Sequence, residues 1–246
     1  MEGKPAPECS AQLLVPDGQV PEPAQLRRAD AVSVVDTTEL RWFVPGPLRP
    51  DVRGWFTGST GVPEERWDTY LLDGRVDIGV KRRFRETLEL KVRQSLDSRV
   101  EFGEGLAGLL EVWRKWSPAE GLVEDNADGW WVDVHKSVVK RGFRMDGTEV
   151  AFSSDPHAIG AGCDVEVAGV TVGGVEAWTF AFAAFGPPET RRDALLASWQ
   201  TLVAGNSCPE PFGPRTGRAM GYPEWLTLTV SPAEPRHHLD QTSRCR

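Results

Sequence analysis

The sequence predicts an α+β protein that is mainly antiparallel β: an eight-stranded closed β-barrel with amphipathic helices packed outside. Three observations carry that expectation. Period-two alternation of apolar and polar residues recurs in about eight stretches bounded by Gly, Pro and Asp, and eight strands is a number at which a sheet can close on itself. Ten Trp and ten Phe against two Tyr supply bulky rings suited to well-filled packing layers between strands. The 25 Gly and 19 Pro provide the turns that many short elements require.

Taken in order, residues 1–31 are rich in Pro, Glu, Ala and Gln without sustained periodicity, the composition of a flexible arm that cannot offset its ordering entropy. Alternation begins at Val32 to Val44, with Leu40, Trp42 and Val44 on one face and Thr37, Glu39, Arg41 and Phe43 on the other. A short helix is expected over Leu48 to Phe56. Strands follow over Trp67 to Leu72 and Ile78 to Phe84, split by Asp73-Gly74, and then through Leu88, Leu90 and Val92. Leu106, Leu109, Leu110 and Trp113 stand at helical spacing, so a helix is expected over Gly105 to Trp116. Further strands are expected over Trp130 to Val139, Gly142 to Phe152, Cys163 to Val172 and Ala177 to Phe185, the last two joined as a hairpin by Gly173-Gly174. Pro188 to Val203 reads as a helix with a first-turn proline and Gly205 as its stop. The barrel domain is expected to span residues 32–228. A second flexible tail is expected over residues 229–246, where adjacent His237 and His238 fall short of a closed metal site.

The net charge of -8 argues against an extended nucleic-acid surface, which is ordinarily basic. No apolar run of 18 residues and no signal-peptide pattern occur, so no membrane partner is expected and the cytoplasm is the expected location. Cys9, Cys163, Cys208 and Cys245 form no CxxC pair and are read as free thiols, Cys163 as a small buried hydrophobe. Neither GxSxG nor GxxxxGK[ST] is present. His135, on a strand, is either a ligand or a packed or surface histidine.

The informative feature is the face opposite the apolar residues. Several non-adjacent strands place charges two residues apart: Glu39 with Arg41, Lys81 with Arg83, Glu89 with Lys91 and Arg93, and Asp164 with Glu166. Between Lys81 and Arg93 there are six Lys or Arg against two Glu, in a chain that is acidic overall. One reading makes these solvent-facing positions that guard strands against aggregation. The other closes the strands into a barrel that is polar inside and apolar outside, where confined cations would focus field on a multiply charged anion. Carboxylates among them would pair with the cations, or hold magnesium or manganese together with phosphate oxygens.

The stretches TTELRWFV, IGVKRRFRETLELKVR, WWVDVHKSVVKRGF and CDVEVAGVTVGGVEAWTFAFAAFG resemble the strands of the CYTH, or triphosphate tunnel metalloenzyme, superfamily over roughly residues 32–203. That resemblance implies an eight-stranded antiparallel tunnel in which Lys and Arg grip a triphosphate and Glu holds Mg2+ or Mn2+. It implies that Arg41, Lys81, Arg83, Lys91, Arg93 and Lys136 bind substrate, and that Glu39, Glu89 and Glu166 act as metal ligands and catalytic groups. Three positions depart from the family pattern. Thr37 stands two residues before Glu39 where an acid is expected, Arg41 stands two residues after Glu39 where a lysine is expected, and Ala183 stands in the closing strand where a glutamate is expected. The implied function is binding, with metal-dependent hydrolysis, of an inorganic or organic triphosphate. The alternative is a non-catalytic polyphosphate- or nucleotide-binding module that has lost metal carboxylates, and a third reading is a structural barrel whose charges neutralise one another.

Overall fold

The computed structural model describes residues 32–58, 60–83, 87–103, 105–117, 130–153, 160–205 and 208–230. The expected arm, Cys9, Cys245, His157, His237 and His238 lie outside the described residues. In chain order the elements are β1 (Ser33–Pro45), α1 (Pro50–Thr57), β2 (Val62–Leu72), β3 (Ile78–Arg83), β4 (Thr87–Gly103), β5 (Leu106–Ser117), β6 (Trp130–Arg144), β7 (Glu149–Val150), β8 (Gly162–Val172), β9 (Val175–Phe185), α2 (Pro188–Gly205), β10 (Arg218–Ala219) and α3 (Tyr222–Thr229). Among the described residues eight strands pair in the order β1-β5-β4-β3-β2-β6-β8-β9, and β9 returns to β1, closing an antiparallel barrel. The closing ladder runs from Thr37 opposite Phe185 to Pro45 opposite Ala177. Closure removes the free sheet edges that would otherwise invite aggregation.

The barrel carries its main apolar core on the outside. Leu40 and Trp42 of β1, Val165 and Val167 of β8, and Phe180 and Phe182 of β9 face outward beneath α1 and α2. Val52 and Phe56 of α1 and Leu195, Trp199 and Leu202 of α2 complete this layer, all buried. Trp199 donates from Nε1 to the Phe102 carbonyl at 3.0 Å, and its ring meets Phe102, Phe180, Phe182 and Phe212. Trp199→Ala is expected to cost about 3–5 kcal/mol of stability through cavity formation. Urea titration of the folded variant would check that figure.

Gly105 to Trp116 is a strand, not a helix. Leu106 and Leu110 face the outer core while Glu111 and Trp113 alternate between faces with their neighbours, so the apparent helical stripe breaks across two sides of the sheet. The deciding local signal is the turn: Gly103 and Gly105 both adopt left-handed φ, +92° and +80°, and Gly103 pairs with Leu106 across a tight hairpin. Neighbouring β4 runs on to Gly103, well past Val92, with bulges that let the pair overhang the barrel.

The third helix has a different position. β10 pairs Ala219 with Trp42, and the Met220 amide donates to the Arg41 carbonyl at 2.9 Å, which delivers α3 to one end of the barrel. There Trp225 stacks on Phe43 of β1 at 4.6 Å and Tyr222 stacks on Tyr70 of β2 at 5.5 Å. Pro223 lies so close to Gly79 of β3 that a Cβ on residue 79 would come within 3.2 Å of it. Trp225 and Leu226 join Val134, Val170, Val172 and Ala177 in a second apolar cluster. No helix of the described residues is long and apolar enough to cross a membrane.

Candidate functional site

Because alternate residues of a strand point to opposite faces, burying Leu40 and Trp42 outside forces Glu39 and Arg41 inside. The same reasoning applies to β6, β8 and β9, whose alternate residues Val139, Val165, Val167, Phe180 and Phe182 are buried in the outer core. The interior holds a cavity of ≈ 250 Å³, smaller than a drug-sized pocket and of the scale of a small anion. Among the described residues, eight Lys or Arg and five Asp or Glu line it.

Of the residues singled out in the sequence, Glu39, Arg41, Lys81, Arg83, Glu89, Lys91, Lys136 and Glu166 share this cavity. Arg93 does not line it. Its Nη1 donates to Glu111 Oε1 at 2.6 Å, and its guanidinium lies 5.7 Å from the centre of the Trp113 ring. His135 faces out, against the exposed ring of Trp67, with Nε2 3.3 Å from Glu65 Oε2. Cys163 is buried in the outer core, and burial raises its thiol well above the usual range.

Opposite charges meet throughout the interior. Arg41 Nη1 donates to Glu166 Oε1 and to Thr179 Oγ1, both at 2.9 Å. Lys91 is ion-paired with Glu39, which also accepts from Thr37 Oγ1 at 2.6 Å. Lys81 Nζ lies 2.7 Å from Glu89, and Arg83 Nη2 lies 3.5 Å from the same carboxylate. Burial opposes ionisation of Glu89 and Glu166, yet the cations beside them hold both carboxyls well below the usual range. Lys115 lines the cavity with no ion-pair partner among the described residues.

Sequence reasoning missed the group at the centre of this network. Asp68 is fully buried, and its Oδ2 lies 2.8 Å from Lys136 Nζ, 3.4 Å from Arg66 Nε and 3.9 Å from Lys81 Nζ. Lys136, itself buried, donates to Tyr70 Oη at 2.6 Å, and burial drives its ammonium well below the usual lysine range while Asp68 opposes that shift. Three buried polar atoms here have no hydrogen-bond partner among the described residues: Tyr222 Oη, and Asp68 Oδ1 and Arg83 Nε, which face each other at 4.0 Å. The signal for Arg66 and Asp68 was present, since Glu64, Arg66 and Asp68 alternate as the other charged strands do. Starting the strand at Trp67 hid it, because that Trp points to solvent.

Asp164 differs from the other interior carboxylates. It lines the cavity beside Ala183, its side chain without a hydrogen bond or ion pair among the described residues, and burial pushes its carboxyl up to about 7. Ala183 also pairs with Glu39, so the alanine stands between two acids.

Carboxylate oxygens are the donor type that Mg2+ or Mn2+ prefers. As placed, however, Glu39, Glu89 and Glu166 are each tied to a cation, and among the described residues no three His, Cys, Asp or Glu gather as metal ligands.

No protein-family model matches the chain. No curated protein matches it in sequence.

Proposed function

We propose that the barrel interior is a receptor for a triphosphate-class anion, as in a divergent member of the CYTH superfamily. The observation that carries this reading is the excess of cations over carboxylates in a confined cavity, inside a chain whose net charge is -8. Cations concentrated there work against the overall charge and against the cost of burying them. A polyphosphate would offer oxygens to Lys81, Arg83, Lys91, Arg41 and Lys136 through charge-assisted hydrogen bonds. It would also offer acceptors to the unsatisfied Arg83 Nε. The closed antiparallel barrel with inward Lys and Arg is the architecture that the family resemblance implies, and it supports this reading.

Hydrolysis is the second reading, favoured by the glutamates interleaved with the cations. Phosphate oxygens that draw Lys91, Lys81 and Arg41 away would free Glu39, Glu89 and Glu166, the residues that would hold Mg2+ or Mn2+. A bound divalent ion would supply charge neutralisation at the phosphoryl group.

Calorimetric titration of the purified chain in EDTA is expected to show inorganic triphosphate binding at least tenfold more tightly than monophosphate. The affinity should weaken as salt rises. Lys81→Ala combined with Arg83→Ala is expected to lower it a hundredfold. Equal affinity for chloride, phosphate and triphosphate would sink the receptor reading. Phosphate release measured in parallel with Mg2+ or Mn2+ separates the two readings: turnover lost in Glu39→Gln with binding retained establishes the enzyme, and binding without turnover establishes the receptor alone.

A further inference from the structure

We propose that the cavity is a blind tunnel that takes its anion end-first, the terminal phosphate seated on Tyr222 of α3, so that the protein selects ligands with a free phosphate end. This rests on the anion-receptor reading above.

The register of the strands sets out the two ends of the axis. Glu39, Asp164 and Ala183 stand at one level, since Ala183 pairs with both of the others. Four residues along β1 from Glu39 is Phe43, which stacks on Trp225, and the matching ends of β8 and β9 are Val172 and Ala177 in the cluster around α3. On β2 the chain passes from Arg66 through Asp68 to Tyr70, again ending on Tyr222. On β3 it begins at Gly79, against Pro223, and moves outward through Lys81 to Arg83. Residue 221, just before the helix, packs on β5, where a Cβ would meet the Trp113 ring at 3.0 Å. Contacts from β1, β2, β3 and β5, with Lys136 of β6 over the Tyr222 ring, thus converge on residues 221–226 from five wall strands, and that end of the tunnel is floored.

The floor is built for an anion. Tyr222 lines the cavity with Lys136 Nζ 3.9 Å and Arg41 Cζ 4.8 Å from its ring centre, so two cations flank it. Its hydroxyl is buried and has no hydrogen-bond partner among the described residues. A terminal phosphate oxygen accepting that bond would satisfy an otherwise costly buried donor while meeting Arg41 and Lys136. The terminal phosphate carries the most charge and no substituent, so it alone fits against a closed wall. Successive phosphates would then lie along Lys81 and Lys91 toward Arg83 and Lys115, and any organic group would remain at the open mouth.

The test compares ligands of equal charge that differ in their ends. A nucleoside triphosphate, with one free phosphate end, and a dinucleoside tetraphosphate, with both ends esterified, each carry about four negative charges near neutral pH. We expect the former, and inorganic triphosphate, to bind at least tenfold more tightly than the latter. Tyr222→Phe keeps the stacking and removes the hydroxyl, and is expected to weaken triphosphate several-fold without lowering the melting temperature of the free protein. If the end-blocked ligand binds as tightly as the free-ended one, or if Tyr222→Phe binds triphosphate like the wild type, the end-first proposal is overturned while the receptor reading stands. If none of these anions binds, both fall together.

Discussion

Asp68→Asn is expected to destabilise the protein by about 3–5 kcal/mol, the ordinary cost of removing one partner from a buried ionic network. Asp68 is the shared counter-charge of Arg66, Lys81 and Lys136. Without it, nothing comparable opposes the burial that drives Lys136 toward its neutral form. The same substitution is expected to tighten triphosphate binding, because the anion no longer competes with an internal carboxylate for those cations. Chemical denaturation and calorimetry on one preparation would show the two effects moving in opposite directions. Weaker binding in the variant would mean that Asp68 holds the cations in place for the ligand and does not compete with it. Acid should mimic part of the loss: neighbouring cations hold the Asp68 carboxyl below its ordinary 3.8 against the cost of burial, so its contribution persists above that value and disappears only on strong acidification.

Asp164 has the reverse sign. Burial raises its carboxyl from an ordinary 3.8 to about 7, so between those values the folded protein keeps a proton that the unfolded chain has released. Its contribution to stability is therefore complete below about pH 4 and is lost as pH rises toward 7. Lys140 and Lys115 favour its charged form, and Glu166 and Glu39 oppose it. A carboxylate appearing inside the cavity above pH 7 repels an incoming anion. Triphosphate affinity relative to that of Asp164→Asn is thus expected to fall about tenfold from pH 6 to pH 8, a difference of ~1.4 kcal/mol. Using the ratio removes the ligand's own titration. Parallel pH profiles for the two proteins would show that Asp164 does not change charge in this window.

The barrel was legible because its signal is local. Glu39 and Arg41 interleave with Leu40 and Trp42, and a period of two permits only opposite faces for the two sets. The same pattern placed Lys81, Lys91 and Glu166 in the interior without reference to their partners. Legibility ended where one residue carries two possible messages. Leu106, Leu109, Leu110 and Trp113 satisfy helical spacing as well as a strand with one exposed leucine, and choosing the helix hid Glu111 and Lys115. Trp67, an exposed aromatic, obscured the inward set of Arg66 and Asp68. The stretch MGYPEWL was least readable of all, since its role comes from lying against five strands that are distant in the chain. No periodicity within seven residues encodes that placement.

The ladder between β1 and β9 also bears on how the molecule is made. Thr37 and Phe185 are near opposite ends of the folded region, and the floor at Tyr222 comes later still. A chain emerging at about 5–20 residues per second must hold its first strand unpaired on that side until the last one is translated. Throughout that interval the apolar face of Leu40 and Trp42 has no permanent cover, and the interior carboxylates and cations remain open to water. Hydration during synthesis allows those charges to meet as solvated partners before they are enclosed. Pairing that depends on such distant residues is slow, so assembly of this protein should be most sensitive to conditions after translation of β9, when the wall closes and α3 seals the end.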